Sequence, residues 1–97
     1  MANLVVTYPR AEGASFDAAY YGDTHIPLVE ASWSESGLVG SEILWPFDST
    51  QPFAAMVVLR FRDAAAIDTA LASAATGAVM ADVAKFTDIQ PSIYRTT

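Results

Sequence analysis

The chain predicts an α+β fold with the element order β-α-β-β-α-β, and three features of the sequence point to it. At 97 residues the chain fits one folding unit, since domains usually take roughly 100 to 200 residues. Its composition is 53% apolar and 16% charged, against about 45 to 50% and about 25% in ordinary globular domains, which excludes disorder. Within that composition, β-branched and aromatic runs of strand length alternate with segments of helical periodicity.

Leu4-Val5-Val6-Thr7-Tyr8 is a β-branched and aromatic run stopped by Pro9, and it predicts the first strand. Ser15 is the expected N-cap of a helix beginning at Phe16, with Asp17 at the positive end of its dipole. Phe16, Ala19 and Tyr20 fall on one face of that helix. Pro27 has no N–H to donate to the carbonyl of Asp23, so the helix is expected to kink or restart there and run on to about Ser34, before Gly37. Leu38 to Trp45 predicts the second strand, and Pro46 to Pro52 a turn-rich return. Phe53 to Phe61 predicts the third. Asp63 is the expected cap of a second major helix over Ala64 to Ala75, with an interruption at Thr76-Gly77 and a short continuation over Ala78 to Lys85. Phe86 to Tyr94 predicts the last strand, which Pro91 confines to a sheet edge or a bulge.

This order is that of the ferredoxin-like unit, in which both helices cover one face of a four-stranded antiparallel sheet. A Greek-key arrangement of the same elements is the alternative. Phe53-Ala54-Ala55-Met56-Val57-Val58-Leu59 is apolar without alternation, so that strand must be covered on both faces. No segment of a single chain remains to cover the second one. A homodimer in which two sheets face each other across a barrel-like core, each chain one domain over 1–97, is therefore expected.

Charge and residue counts narrow the function. Five Lys and Arg against eleven Asp and Glu leave a net charge of −6, and the cations Arg10, Arg60, Arg62, Lys85 and Arg95 are scattered, which disfavours nucleic acid and anionic membrane surfaces. With no cysteine and one histidine, neither a thiolate metal site nor a multi-histidine metal site fits within one chain. The N-terminal residues lack a secretory pattern, and no apolar stretch approaches the roughly 20 residues that span a bilayer. A cytoplasmic bacterial-type protein is expected.

The one side chain that ordinarily titrates near neutral pH is His25, in Tyr20-Tyr21-Gly22-Asp23-Thr24-His25-Ile26-Pro27-Leu28. On a helix Tyr21 shares its face, whereas Asp23 does not. At a cavity wall His25 would act as a general base with Tyr21 as hydrogen-bond partner or acid. Its other reading is structural: the ring bonds a carbonyl freed by the kink.

The arrangement Phe16-Asp17-x-x-Tyr20-Tyr21-x-x-x-His25-x-Pro27-Leu28, after the Leu4 to Tyr8 strand, resembles the ethyl tert-butyl ether degradation (EthD) family. Ala70-Leu71-Ala72-Ser73 through Gly77, and Ala81-Asp82-Val83-Ala84-Lys85-Phe86, are similar to the family's second helix and its exit into the last strand. The resemblance implies a dimeric α+β barrel, an oxidoreductase-associated role with a partner oxygenase in ether degradation, and a cavity-facing histidine at His25. Related barrels include isomerases, cyclases, cofactor-free monooxygenases and haem proteins. Haem ligation by His25 lacks an accompanying propionate clamp, and no cofactor is expected.

Tyr8, Trp45, Met56 and Arg60 are the candidate ligand-binding residues. Trp45, with Phe47 and Phe53, flanks the second turn and is either a pocket wall or a packing contact. Arg60 shares strand parity with Met56 and Val58 and either enters the barrel or stays solvated near Asp63. Trp33 is expected to pack. Two functions remain open: a cofactor-independent enzyme acting on an apolar or aromatic metabolite through His25 and Tyr21, or a non-catalytic carrier serving a partner oxidoreductase.

Overall fold

The computed structural model describes residues 1–97. Four strands, β1 (Ala2–Pro9), β2 (Leu38–Leu44), β3 (Phe53–Phe61) and β4 (Ser92–Thr96), form one antiparallel sheet in the order β2-β3-β1-β4. This is the ferredoxin-like order, with β1 and β3 at the centre and the proline-preceded β4 at an edge. Opposed residues of an antiparallel pair share a face. The pairs Ala2↔Phe61, Leu4↔Leu59, Val6↔Val57 and Tyr8↔Ala55 therefore line one side, and Asn3↔Arg60, Val5↔Val58 and Thr7↔Met56 the other. The first set is covered by helices and forms the centre of the core.

Helix α1 covers residues 18–33 in three conjoined parts: an α-helical start Ala18–Tyr20, a π-helical turn Tyr21–His25, and an α-helix Ile26–Trp33. Its cap is Asp17, not Ser15: the Asp17 carboxylate accepts from the Tyr20 N–H at 3.1 Å. Ser15 is committed elsewhere. Its N–H donates to Asp88 and its carbonyl accepts from Thr87 Oγ1, while the Asp17 N–H donates to the carbonyl of Phe86 at 2.7 Å. The start of α1 is thus stitched to residues 86–88.

The helix restarts at Pro27 as expected: the second α-helical part begins at Ile26 and holds Pro27 in its first turn. The chain absorbs the missing donor by widening one turn, in which the Ile26 N–H reaches back to the carbonyl of Tyr21. Such a five-residue closure is a π-bulge, a form frequent at functional sites. After Trp33 a 3₁₀ turn leads to Gly37, whose φ of 114° and location 2.6 Å from the Ala66 methyl for any added Cβ both require glycine.

Helix α2 (Ala64–Ala72) is capped by Asp63, whose carboxylate accepts from the Ala66 N–H at 2.8 Å. The break after it comes at Ser73, which is extended, and Gly77 lies inside the next helix, α3 (Thr76–Asp82). Thr76 explains the shift: its hydroxyl donates to the carbonyl of Ala70 at 2.6 Å and accepts from Trp33 Nε1 at 3.1 Å, joining α2, α3 and α1 at one point. The expected last strand also starts later, at Ser92, because Phe86, Thr87 and Ile89 turn inward to meet residues 15–17 and the core. No single helix is long and apolar enough to cross a membrane.

Candidate functional site in the helix-side cavity

The widened turn of α1 carries two buried side chains, Tyr21 and His25, onto the sheet side of the helix. Their rings stack at 5.5 Å with an interplanar angle of 22°, and no hydrogen bond joins them. The expected Tyr21–His25 hydrogen bond is therefore replaced by ring contact. The partner of His25 is instead Asp82, the last residue of α3, at 2.9 Å from Nδ1. Both members are buried, His25 at 3% and Asp82 at 7% exposure.

Asp82 is held from two sides. Its second oxygen accepts from the Tyr20 hydroxyl at 2.8 Å, and Lys85 Nζ lies 3.9 Å from that same oxygen. Burial alone pushes the Asp82 carboxyl upward, but the hydrogen bonds from His25 and Tyr20, together with the charges of His25 and Lys85, hold it below the ordinary carboxylate value. An ionised carboxylate only accepts, so His25 Nδ1 must donate, and the neutral ring leaves Nε2 as a bare acceptor. The Tyr20 phenol is in turn raised, first by this hydrogen bond, then by burial and by the carboxylate charge.

His25 lines a partly enclosed cavity of about 220 Å³ between the sheet and the helices, walled by Leu4, Val6, Val57 and Leu59 from the sheet and by Ile26, Val29, Val79 and Val83 from the helices, with exposed Met80 and Ile93 at its edge. Tyr8, from β1, and Tyr21 also line it. Burial lifts the Tyr8 phenol to about 12, against a small opposing effect of the Tyr21 hydroxyl. Tyr21 is raised further still, by burial first and then by the neighbouring Tyr8. The two hydroxyls thus sense each other without a formed hydrogen bond, and the Tyr21 hydroxyl is buried with no partner. Larger hollows of about 450 Å³, one beside Ser15, Asp17, Lys85 and Asp88, are open surface depressions. No three histidine, aspartate or glutamate side chains converge on a point that would hold a metal ion.

An aromatic cluster fixes the site. The Phe86 ring lies 4.6 Å from His25 and 5.0 Å from Tyr21, and Phe16 and Tyr8 pack edge-on against the same group. Trp45 backs this cluster from outside, 5.9 Å from the Tyr21 ring and 6.4 Å from Phe16, and does not line the cavity. Of the sequence-derived candidates, His25, Tyr21 and Tyr8 come together. Met56 and Arg60 do not: strand parity sets them on the opposite face, where Arg60 pairs with Glu42 at 2.7 Å. Asp82 and Tyr20 were missed as a pair. The signal available was Asp82 itself, an acid next to the apolar Val79 and Val83 of the same helix.

A family model for the EthD domain matches residues 12–90, which include Tyr20, Tyr21, His25, Asp82 and Phe86 but not the β1 residues of this site. The chain belongs to the EthD family. Among solved structures, this EthD chain is 31% identical to an EthD-like protein from Ralstonia eutropha JMP134, with a TM-score of 0.82 over 98% of this chain and 88% of that one. It is 19% identical to an ethyl tert-butyl ether degradation (EthD) family protein from Bacillus halodurans C-125, with a TM-score of 0.67 over 95% and 96% of the two chains. It shares its fold with SnoaB, a cofactor-independent oxygenase from Streptomyces nogalater, at 13% identity and a TM-score of 0.68 over 99% and 91%. A search of curated proteins found no match.

Proposed function

We propose that this EthD protein is a small catabolic enzyme that binds an apolar or aromatic metabolite in the helix-side cavity and moves a proton without a cofactor. His25 is the base and Asp82 the carboxylate that orients it. The observation that carries this reading is the buried His25–Asp82 pair, in which Asp82 occupies Nδ1 and the His25 side chain lines an apolar cavity. A carboxylate on Nδ1 fixes the tautomer and stabilises the imidazolium that forms when Nε2 takes a proton, the arrangement of a general base. A cavity of about 220 Å³ suits a one-ring ligand, since roughly 150 Å³ holds benzene. The anion left by deprotonation is the electron-rich species that an oxidation by dioxygen would consume, which keeps the isomerase-type and oxygenase-type outcomes on one path.

Two small probes built on a single aromatic ring test the reading. Indane reports binding, and 2-indanone in D₂O reports proton transfer through exchange of its acidic CH₂ protons, both followed by ¹H NMR. The expected result is that both bind, that the wild type accelerates exchange, and that His25→Ala keeps indane binding while losing most of the acceleration, roughly a hundredfold for a general base. Binding with unchanged exchange in His25→Ala would identify a carrier for a partner enzyme instead.

The open sheet face supports a second proposal, that two chains pair through it. Val5, Met56 and Val58 are only half-buried there, and Leu44 and Tyr94 are 43% and 67% exposed beside them. A contiguous apolar face of this kind is characteristic of an interaction site, and a self-complementary face fits twofold pairing.

A further inference from the structure

Of all the polar side-chain atoms lining the helix-side cavity, few are free. Trp33 Nε1 is committed to Thr76 at 3.1 Å, and His25 Nδ1 to Asp82 at 2.9 Å. Without a protein partner among the lining residues are one acceptor, His25 Nε2, and one pair of hydroxyls, Tyr8 and Tyr21. Neither phenol donates to any protein acceptor, and Tyr21 is wholly buried with its hydroxyl unpartnered. Two hydroxyls can satisfy each other with only one of their two hydrogens, so the pair keeps one donor in surplus. An unmet buried donor is costly, and a site that retains one is shaped for an acceptor that arrives from outside.

Resting on the proposal that this cavity binds a small molecule, we infer that its ligand is a neutral, enolisable carbonyl compound of one-ring size, held with its carbonyl oxygen at the Tyr8–Tyr21 hydroxyl pair and its acidic C–H at His25 Nε2. The two free polar functions of the cavity are complementary to the two halves of such a molecule. A hydrocarbon would leave both unmet, and a carboxylate would be buried in an apolar cavity with no cation among its lining residues. In the proton-transfer step the α C–H bond breaks and its proton goes to Nε2. The electron pair forms the C=C bond of an enolate, and the charge passes to the oxygen, where the Tyr8 O–H donates and is itself supported by the Tyr21 O–H. Return of the proton to carbon restores the ketone or delivers its isomer. Both phenols stay protonated throughout the ordinary pH range because burial raises them, so neither competes with His25 as the base.

The test compares 2-indanone, labelled with ¹³C at its carbonyl, with 2-methyleneindane, which has the same shape and a CH₂ in place of the oxygen. The wild type is expected to bind the ketone roughly three- to tenfold more tightly, the range of one net hydrogen bond, and to move the carbonyl resonance downfield. Tyr8→Phe should erase both the preference and the shift, and Tyr21→Phe should reduce them. His25→Ala should lose proton exchange yet keep the ketone preference. Equal binding of the two probes by the wild type and by Tyr8→Phe overturns the inference and leaves the cavity proposal standing. Binding of neither probe overturns both.

Discussion

The two faces of the sheet use the same strands to opposite ends. On the helix side Leu4, Tyr8, Val57, Leu59 and Phe61 are almost completely buried, and the apolar cavity with His25 at its wall lies there. On the open side Val5, Met56 and Val58 are apolar but only half-buried, beside the Arg60–Glu42 pair. One residue of register decides which environment a side chain meets. The difference separates two tasks: one face builds the core and the chemical site of each chain, and the other is left to meet a second chain.

Neighbouring residues of β3 give the sharpest way to break this contrast. Leu59→Ala, on the helix side, should cost about 2 to 5 kcal/mol in denaturant unfolding, the range for a large-to-small change in a packed core. Val58→Arg, one position away, should leave the unfolding of the single chain within about 0.5 kcal/mol. Its effect should instead appear in light scattering, as conversion of the expected dimer to a monomer at micromolar concentration. A wild type that is already monomeric removes the dimer proposal, and a Val58→Arg chain that unfolds would mean that the open face belongs to the core.

A smaller effect separates the site from the rest of the helix-side face. The Asp82 carboxyl is lowered from an ordinary value of 3.8. The stability it supplies is therefore fully present above that value and is lost as pH falls through the lowered native one. Asp82→Asn should flatten this acid arm of the stability curve. An unchanged acid arm in Asp82→Asn would show that the His25 and Tyr20 contacts do not form in solution.

Much of the fold was legible because it rests on local chemistry. The β-branched runs placed β1 and β3, Asp63 capped α2 as expected, and the unbroken apolar run of β3 exposed the two-faced character of the sheet. His25 was legible as the only histidine. Its partner was not, because Asp82 lies 57 positions away, and their meeting depends on backbone bonds between residues 15–17 and 86–88 that follow no periodicity. Ser15 was misread as a cap for the same reason: its N–H and carbonyl are spent across the molecule rather than along the helix. Pro27 marked the restart of the helix, but the π-helical turn over Tyr21–His25 that joins the two parts was not legible, because a missing donor can be met either by a kink or by a wider turn. Met56 and Arg60 do share strand parity with Val58 as read, but the sequence does not say which sheet face carries His25, and that parity is the open face.

The central claim is that Asp82 holds His25 with its base nitrogen free in the cavity. Long-range ¹H–¹⁵N correlation spectra of the single histidine test it directly, taken above the pH at which the ring titrates. The account predicts a proton on Nδ1 and a bare Nε2 in the wild type, with that preference lost in Asp82→Asn. A proton on Nε2 in the wild type, unchanged by Asp82→Asn, would contradict it.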